Sequence, residues 1–489
     1  MRRILLAVLT ASASLAVVPM PAGASPGVFD ASAITFARCD APGAPTSTVY
    51  APNITRRLGG IAGWSTPFYV QNTGSYVTSV ETSFYAFDTG VLVACHKTTA
   101  LEPQRTVREE PSAAIDLLDD KQYAVIVRSF GAPVAVTVNQ LQTSNARVEA
   151  LSYAGFTTGA TTVYVPNVTR RFYGYDVPLI VQNLGSLVAS VTAAFRSFDG
   201  TYALNVPLSL APGRSGVIDP DYTPGLVDGT QYAVTLTSDQ PIAVVANAHN
   251  ETIGPIAFSY SGLATGAPTL WAAFAAKGAT FSNVVVQNIG TISTTATLMF
   301  TPTSGGTAQS FTMPAILPGR SAAFDVRFDR GNAQPGVAEC GSLATATCLG
   351  DGIYALKITA SSPIAAVILP NSSTTGGAYV AASFVTSRAL LPVVQRDVDG
   401  WTTTMYVQSA SATSVAIRYF DIVTGEFAGM QTVPLVPGSA IAIDAATVAG
   451  LLSGREYSVS LEPQFSIAVV AVARTTRPGD GLMIYEGTP

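Results

Sequence analysis

Charge is what this chain has least of. Only 12% of its 489 residues are Asp, Glu, Lys or Arg, against a usual share of about 25%, and the net charge is −5. No basic patch is available for nucleic acid, and no field strong enough to steer a charged partner. Histidine is almost missing: His96 and His249 are the whole supply, which starves both a zinc site and a hydrolase that needs an imidazole base. Cysteine is confined to Cys39, Cys95, Cys340 and Cys348, with no CxxC pair. Val, Thr, Ala, Ser, Gly and Pro stand where Lys and Glu would be, a composition for many short strands joined by tight turns.

The N-terminus reads Met1-Arg2-Arg3, then an apolar run from Ile4 to Val18, then Ala22-Gly23-Ala24. That is the pattern of a secretory signal peptide over residues 1–24, with the mature chain starting at Ser25. The run is broken by Thr10, Ser12 and Ser14 and falls short of the roughly 20 residues of a bilayer span. A secreted or extracellular protein is expected, at a cell surface or in a periplasm, with no transmembrane segment in the mature chain. Four cysteines in an exported chain imply two disulfides, for which three pairings exist. The short spacing favours Cys340 with Cys348, leaving Cys39 with Cys95.

What the sequence does contain is a repeat. Val70-Gln71-Asn72-Thr73-Gly74-Ser75 returns as Val181-Gln182-Asn183-Leu184-Gly185-Ser186, as Val286-Gln287-Asn288-Ile289-Gly290-Thr291, and in degraded form as Val407-Gln408-Ser409-Ala410. Steps of 111, 105 and 121 residues separate the glutamines, each about one β-sandwich long. Other landmarks keep pace. Phe87-Asp88, Phe198-Asp199 and Phe420-Asp421 mark one turn. Arg214-Ser215, Arg320-Ser321 and Ser439, each after Pro-Gly, mark another, where the first repeat has Pro103-Gln104. Tyr123, Tyr232, Tyr354 and Tyr457 open a late strand, where a ring in the core and a hydroxyl on nearby backbone are expected.

Alternation of apolar and polar residues gives close to seven strands per repeat. The expected fold is all-β, four tandem immunoglobulin-like sandwiches after a signal peptide and a spacer over 25–46. The repeats are placed at 47–155, 161–262, 268–385 and 389–489. Short recurring joins, Tyr153 to Ala160 and Tyr260 to Ala267, predict a semi-rigid string of beads. The Asn and Gly of the signature are expected to supply the unusual backbone angles that end a core strand.

The order Val-x-Asn-x-Gly-Ser, Phe-x-x-Phe-Asp-Gly, Leu-x-Pro-Gly-x-Ser and Asp-Gly-x-x-Tyr-Ala-Val resembles CARDB-type bacterial cell-adhesion-related domains and kindred immunoglobulin-like repeats of secreted surface proteins. The resemblance spans roughly residues 47–489 and implies an extracellular setting and an adhesive role. Thr303-Ser304-Gly305-Gly306 and Ser409-Ala410 depart from its turns.

Motifs with chemistry are few. Asp88-Thr89-Gly90 has the tripeptide of aspartic proteases, yet its counterpart Asp199-Gly200 is a plain turn. Asp119 with Asp120, Asp219 with Asp221, and Asp397 with Asp399 are close carboxylates that lack the further ligands of a calcium loop. Asn53, Asn167, Asn250 and Asn371 fit the glycosylation pattern. Residues 327–352 are the one large irregular insertion. The best binding candidates lie in the loop after each first strand: Arg56, Arg57 and Trp64; Arg170, Arg171 and Tyr175; Arg396 and Trp401, with Lys277 and Phe281 in the third repeat. Arg beside an aromatic suits sugar rings or acidic polymer. The competing reading is a ring that closes the core, with the Arg lying over it or paired with Asp and Glu.

With signal, spacer and repeats assigned, no segment is left to host an active site. The expected function is therefore a non-catalytic surface, matrix or adhesion protein without a cofactor or metal. Its expected partner is a glycan, a cell wall or another surface protein. A carbohydrate- or cell-wall-binding array using the Arg and aromatic loops is the alternative.

Overall fold

The computed structural model describes residue 39 and residues 43–488, apart from 145–146, 251, 253, 255, 335 and 384–387. The expected signal peptide and most of the expected spacer lie outside the described residues. Among the described residues everything regular is β-strand, save two single 3-10 turns at Asp329–Gly331 and Ala445–Thr447. In the first repeat the strands are β1 (Ser47–Arg56), β2 (Phe68–Asn72), β3 (Thr78–Ala86), β4 (Leu92–Leu101), β5 (Thr106–Glu109), β6 (Lys121–Phe130), β7 (Val134–Ser144) and β8 (Arg147–Ala154).

They form two sheets, ordered β1-β6-β3-β4 and β5-β2-β7-β8. Phe84, Val125 and Val127 from one meet Phe68, Val70 and Val136 from the other in a single apolar core. The order is not the immunoglobulin one, in which the sixth and seventh strands are neighbours in one sheet. Here the chain changes sheets between β6 and β7, at Pro133. In the second and third repeats, that crossing is one continuous strand, Thr230–Asn250 and Gly352–Asn371, which belongs to both sheets. The eighth strand, whose last two residues are the start of the expected join, completes the second sheet.

The turn between β3 and β4 also needs realignment. Phe87 N donates to Gln122 O, and the equivalent bonds are Phe198 N to Gln231 O, Thr303 N to Ile353 O and Ile422 N to Glu456 O. Ile422-Val423, not Phe420-Asp421, therefore occupies the place of Phe87-Asp88. The core ring that sets the register is Tyr419, the counterpart of Phe84 and Phe195.

The repeats do not form a string. Each packs the outer face of its β5-β2-β7-β8 sheet on the β1-β6 sheet of the repeat before it, and the fourth returns to the first. Val245 of the second repeat enters the core of the first. Val285, Val367 and Leu369 of the third enter that of the second, and Tyr406, Val470 and Val472 of the fourth enter that of the third. Tyr69 of the first repeat completes the circuit in the core of the fourth. Hydrogen bonds repeat with the packing: Ser215 Oγ to Pro52 O and Ser321 Oγ to Pro166 O, both 2.8 Å, and at the closing seam Ser458 Oγ to Gln104 O at 2.7 Å.

The eighth strands line the axis of this ring. Ser259 Oγ donates to Ser152 O and Ser152 Oγ to Ile484 O, both at 2.8 Å. These three residues occupy the same position, one before Tyr260, Tyr153 and Tyr485, so the repeats are related by rotation about the axis. A two-residue strand, Gly479–Asp480, pairs in parallel with Val148 and Glu149 of β8 and ties the last repeat to the first.

Two sets of tyrosines hold each unit. Tyr123, Tyr232 and Tyr457 accept from and donate to the backbone of Leu118, Val227 and Leu452, and Tyr354 donates to Gly350 O at 2.7 Å, as the sequence predicted. The second set is Tyr153, Tyr260, Tyr379 and Tyr485. Their hydroxyls reach Asn53, Asn167, Phe274 and Val393, where the pairing of the first and sixth strands slips by a bulge. A bulge leaves backbone N–H and C=O groups unpaired. The tyrosine hydroxyl supplies the missing partner.

Candidate functional site

The signature repeat builds a joint. Asn72 Nδ2 donates to Tyr76 O at 2.7 Å and Leu101 O at 2.8 Å, while its Oδ1 accepts from Gly74 N at 2.9 Å. Asn183 and Asn288 make the same three bonds. Contrary to expectation, neither the Asn nor the Gly has positive φ. Glycine is needed because a Cβ at 74, 185 or 290 would lie 2.6 Å from Ala132 Cβ, 2.4 Å from Gln240 Oε1 or 1.8 Å from Ser362 Oγ. The glutamines are fully buried, and two of them cross a seam: Gln287 Nε2 to Val234 O and Gln408 Nε2 to Leu356 O, each 3.4 Å.

The basic candidates all have structural partners. Arg56 reaches Leu117 O and pairs with Asp119 at 2.9 Å. Arg170 Nη1 donates to Thr223 O and Leu226 O, both at 2.8 Å. Lys277 Nζ donates to Gly341 O at 2.6 Å, and Arg396 to Val448 O at 2.9 Å and to Leu451 O. In every repeat the last residue of the first strand thus caps the loop that precedes the sixth. Arg57 pairs with Asp119, and Arg171 with Asp221 and Asp228.

Two of the aromatic candidates, Trp64 and Trp401, sit where repeats meet. Trp64 lies edge-on to His249 of the second repeat, centroids 5.3 Å apart. Tyr175 packs on Phe258 at 5.6 Å, and burial pushes its hydroxyl up to about 12. Trp401 is 5% exposed and packs with Val148 and Ala150 of the first repeat and with Met483. Phe281 carries the Arg327 guanidinium 3.7 Å above its ring. The structure therefore does not gather the candidates of one loop into a shared open site. The outward-facing aromatic of this set is Tyr173, 74% exposed beside Phe172 at 4.6 Å, which the sequence reading passed over.

Reading the sequence also missed the buried acids on the axis. Asp480 is inaccessible to solvent. Its carboxyl accepts from Ala257 N of the second repeat at 2.6 Å and from Gly376 N of the third at 3.0 Å. Burial pushes it up to about 9, against the two N–H bonds and with help from Glu149. Glu486 accepts from Val380 N at 2.5 Å and is pushed by burial up to about 7. Asp480 has no counterpart in the other repeats, so periodicity carried no signal for it. Glu149 lies 3.6 Å from His249 Nδ1.

The remaining motifs are structural in their surroundings. His96 bridges Glu109 at 3.0 Å and Asp116 at 3.2 Å, and the Glu109 bond leads the effects that raise it to about 9. Asp397 accepts from Ser453 Oγ at 2.7 Å, and Asp399 faces Arg477 at 3.8 Å. Asn53, Asn167 and Asn250 are buried, so these acceptor patterns present no accessible amide. Both disulfides form as favoured, Cys39–Cys95 and Cys340–Cys348. Among the described residues the one group of three metal-capable side chains is Cys39, Glu81 and Cys95; two are joined as a disulfide, and Glu81 pairs with buried Arg128 at 3.3 Å. No described helix is long and apolar enough to cross a membrane.

No family model matches the chain, and no curated protein matches it. Among solved structures, Thermotoga maritima 1070 aligns at 15% identity over 22% of this chain and 92% of its own, with a TM-score of 0.19. A tetra-tandem repeat in the extending region of a large adhesion protein aligns at 12% identity over 85% of this chain and 93% of its own, with a TM-score of 0.11.

Proposed function

We propose that the chain is a non-catalytic, secreted surface or matrix protein. In this reading its four sandwich domains are locked into a ring that acts as a rigid adhesion platform. One observation carries this reading: the fourth repeat closes on the first through Tyr69, whose hydroxyl donates to Glu456 at 2.7 Å across 387 positions of sequence. Closure gives four equivalent sets of loops one fixed geometry, so weak contacts at several loops act together, and avidity rises by about 10²–10⁴ when the sites match the spacing of a surface. The ordinary catalytic side chains serve here as caps, staples and seam contacts. The test is retention of the purified protein on cell-wall sacculi, on immobilised glycans and on matrix proteins, beside a panel of hydrolase substrates. Saturable retention without turnover supports the reading. Turnover that survives repurification and disappears on substitution of a single residue overturns it.

Carbohydrate recognition is favoured at one place, the second repeat, where exposed Tyr173 stands two positions along the chain from Arg171. Under that alternative, Tyr173→Ala abolishes glycan retention, whereas Trp401→Ala chiefly destabilises the ring.

A further inference from the structure

Three of the four seams are plugged by an arginine. Arg105, Arg214 and Arg320 occupy the same position, the residue before the fifth strand, as the bonds Asn72 N to Arg105 O, Asn183 N to Arg214 O and Asn288 N to Arg320 O establish. Each lies on the turn between the third and fourth strands of the preceding repeat. Arg214 lies against Gly90, where an added Cβ would stand 3.3 Å from its own Cβ, and its Nε donates to Phe87 O at 3.4 Å. Arg320 covers Gly200, and Arg105 covers Gly425 of the fourth repeat; a Cβ at either glycine would fall on the guanidinium.

At the seam between the third and fourth repeats both halves of the contact have changed. The arginine is replaced by Ser439, and the facing turn is Thr303-Ser304-Gly305-Gly306. A Cβ added at Gly305, the counterpart of Gly200, would meet nothing within 4 Å. An open groove of about 410 Å³ runs there, lined by Thr303, Ser304, Leu435, Val436, Ser439 and Ala440 among others, within the size range of ligand sites, about 300–1,000 Å³.

We propose that this groove is a vacant arginine seat, a binding site for the arginine side chain of a partner protein. The occupant follows from the other three seams, where the same place on the same scaffold takes a guanidinium with its alkyl stem along the seam. Turn carbonyls and the hydroxyls of Ser304 and Ser439 are acceptors for its planar fork of donors. A carboxylate is not required, because Arg105 is seated on a turn that carries Val423 in place of Asp88. Lysine, a compact and strongly hydrated ammonium, fits the seat less well.

N-acetyl-arginine amide titrated into the intact protein tests this, read by calorimetry and by a crystal soak. Saturable binding with density in the groove is expected, about tenfold tighter than N-acetyl-lysine amide. Ser439→Arg fills the seat from within, abolishes the binding and leaves the melting temperature unchanged or higher. Should that variant fail to fold, Ser304→Tyr blocks the groove from the opposite wall, with the same loss expected. Binding that is absent, that does not saturate, that ignores the arginine-lysine difference, or that survives both variants overturns the proposal.

Discussion

Tyr69→Ala probes the ring at its weakest point in sequence terms, the contact between the first repeat and the last. Tyr69 is 2% exposed and packs in the core of the fourth repeat. Its hydroxyl donates to Glu456, and the Arg108 guanidinium lies 5.8 Å from the ring centroid and 3.7 Å from the Glu456 carboxylate. Truncating a buried aromatic costs about 3–5 kcal/mol. The carboxylate keeps Gln395 Nε2 at 3.1 Å, so the loss of the hydroxyl adds little beyond that. The effect is local to the seam, so hydrogen exchange is the assay: amides of Ala389–Arg396 and Arg455–Pro463 should exchange faster by the factor that free energy implies, about 10²–10⁴. Were the repeats independent, Tyr69 would lie on a solvated face and the change would stay within about 0.5 kcal/mol. Unchanged exchange in those two strands would refute the closed ring.

Gln104 has φ +63, where its counterparts are glycines at +70, +72 and +76; Gln104→Gly should stabilise the protein by about 0.5–1 kcal/mol, measured as a shift of the thermal midpoint. Tyr260→Phe removes the partner of two buried backbone groups and should cost about 2–4 kcal/mol, more than Tyr232→Phe, whose half-buried loop leaves room for water; equal losses in denaturant titrations would contradict the bulge-staple account. Asp480 and Glu486 are both raised by burial, to about 9 and about 7, from 3.8 and 4.5. The folded state therefore holds protons that the unfolded chain releases, so their contribution is complete below about pH 4 and is lost as pH rises through 7 and then 9. Stability should fall from pH 5 to pH 9, with His96, raised from 6.5 to about 9, acting in the same direction, and Asp480→Asn should flatten the curve.

Much of this was legible in the sequence, and the part that was misread has a physical cause. Strand content, both disulfides and the Tyr123 family follow from periodicity and spacing, which record local chemistry. Phe68-Tyr69-Val70-Gln71-Asn72 also held the clue to the ring, because every residue of it is buried, as in Leu179–Asn183. A strand apolar on both faces belongs to a sheet covered on both sides, and a free bead cannot supply that cover. The Arg and aromatic loops were misleading for the same reason: Arg56 and Arg170 cap loops far along the chain, and Trp64 and Trp401 meet other repeats. Asp480 was invisible because a buried acid that occurs once has no period.

Small-angle scattering of the protein in solution tests closure most directly. A compact particle of about 450 residues has a radius of gyration of roughly 22 Å, and the ring predicts a value near that. Four units of about 13 Å each strung in line would give roughly twice as much, and a value of that size would contradict the ring.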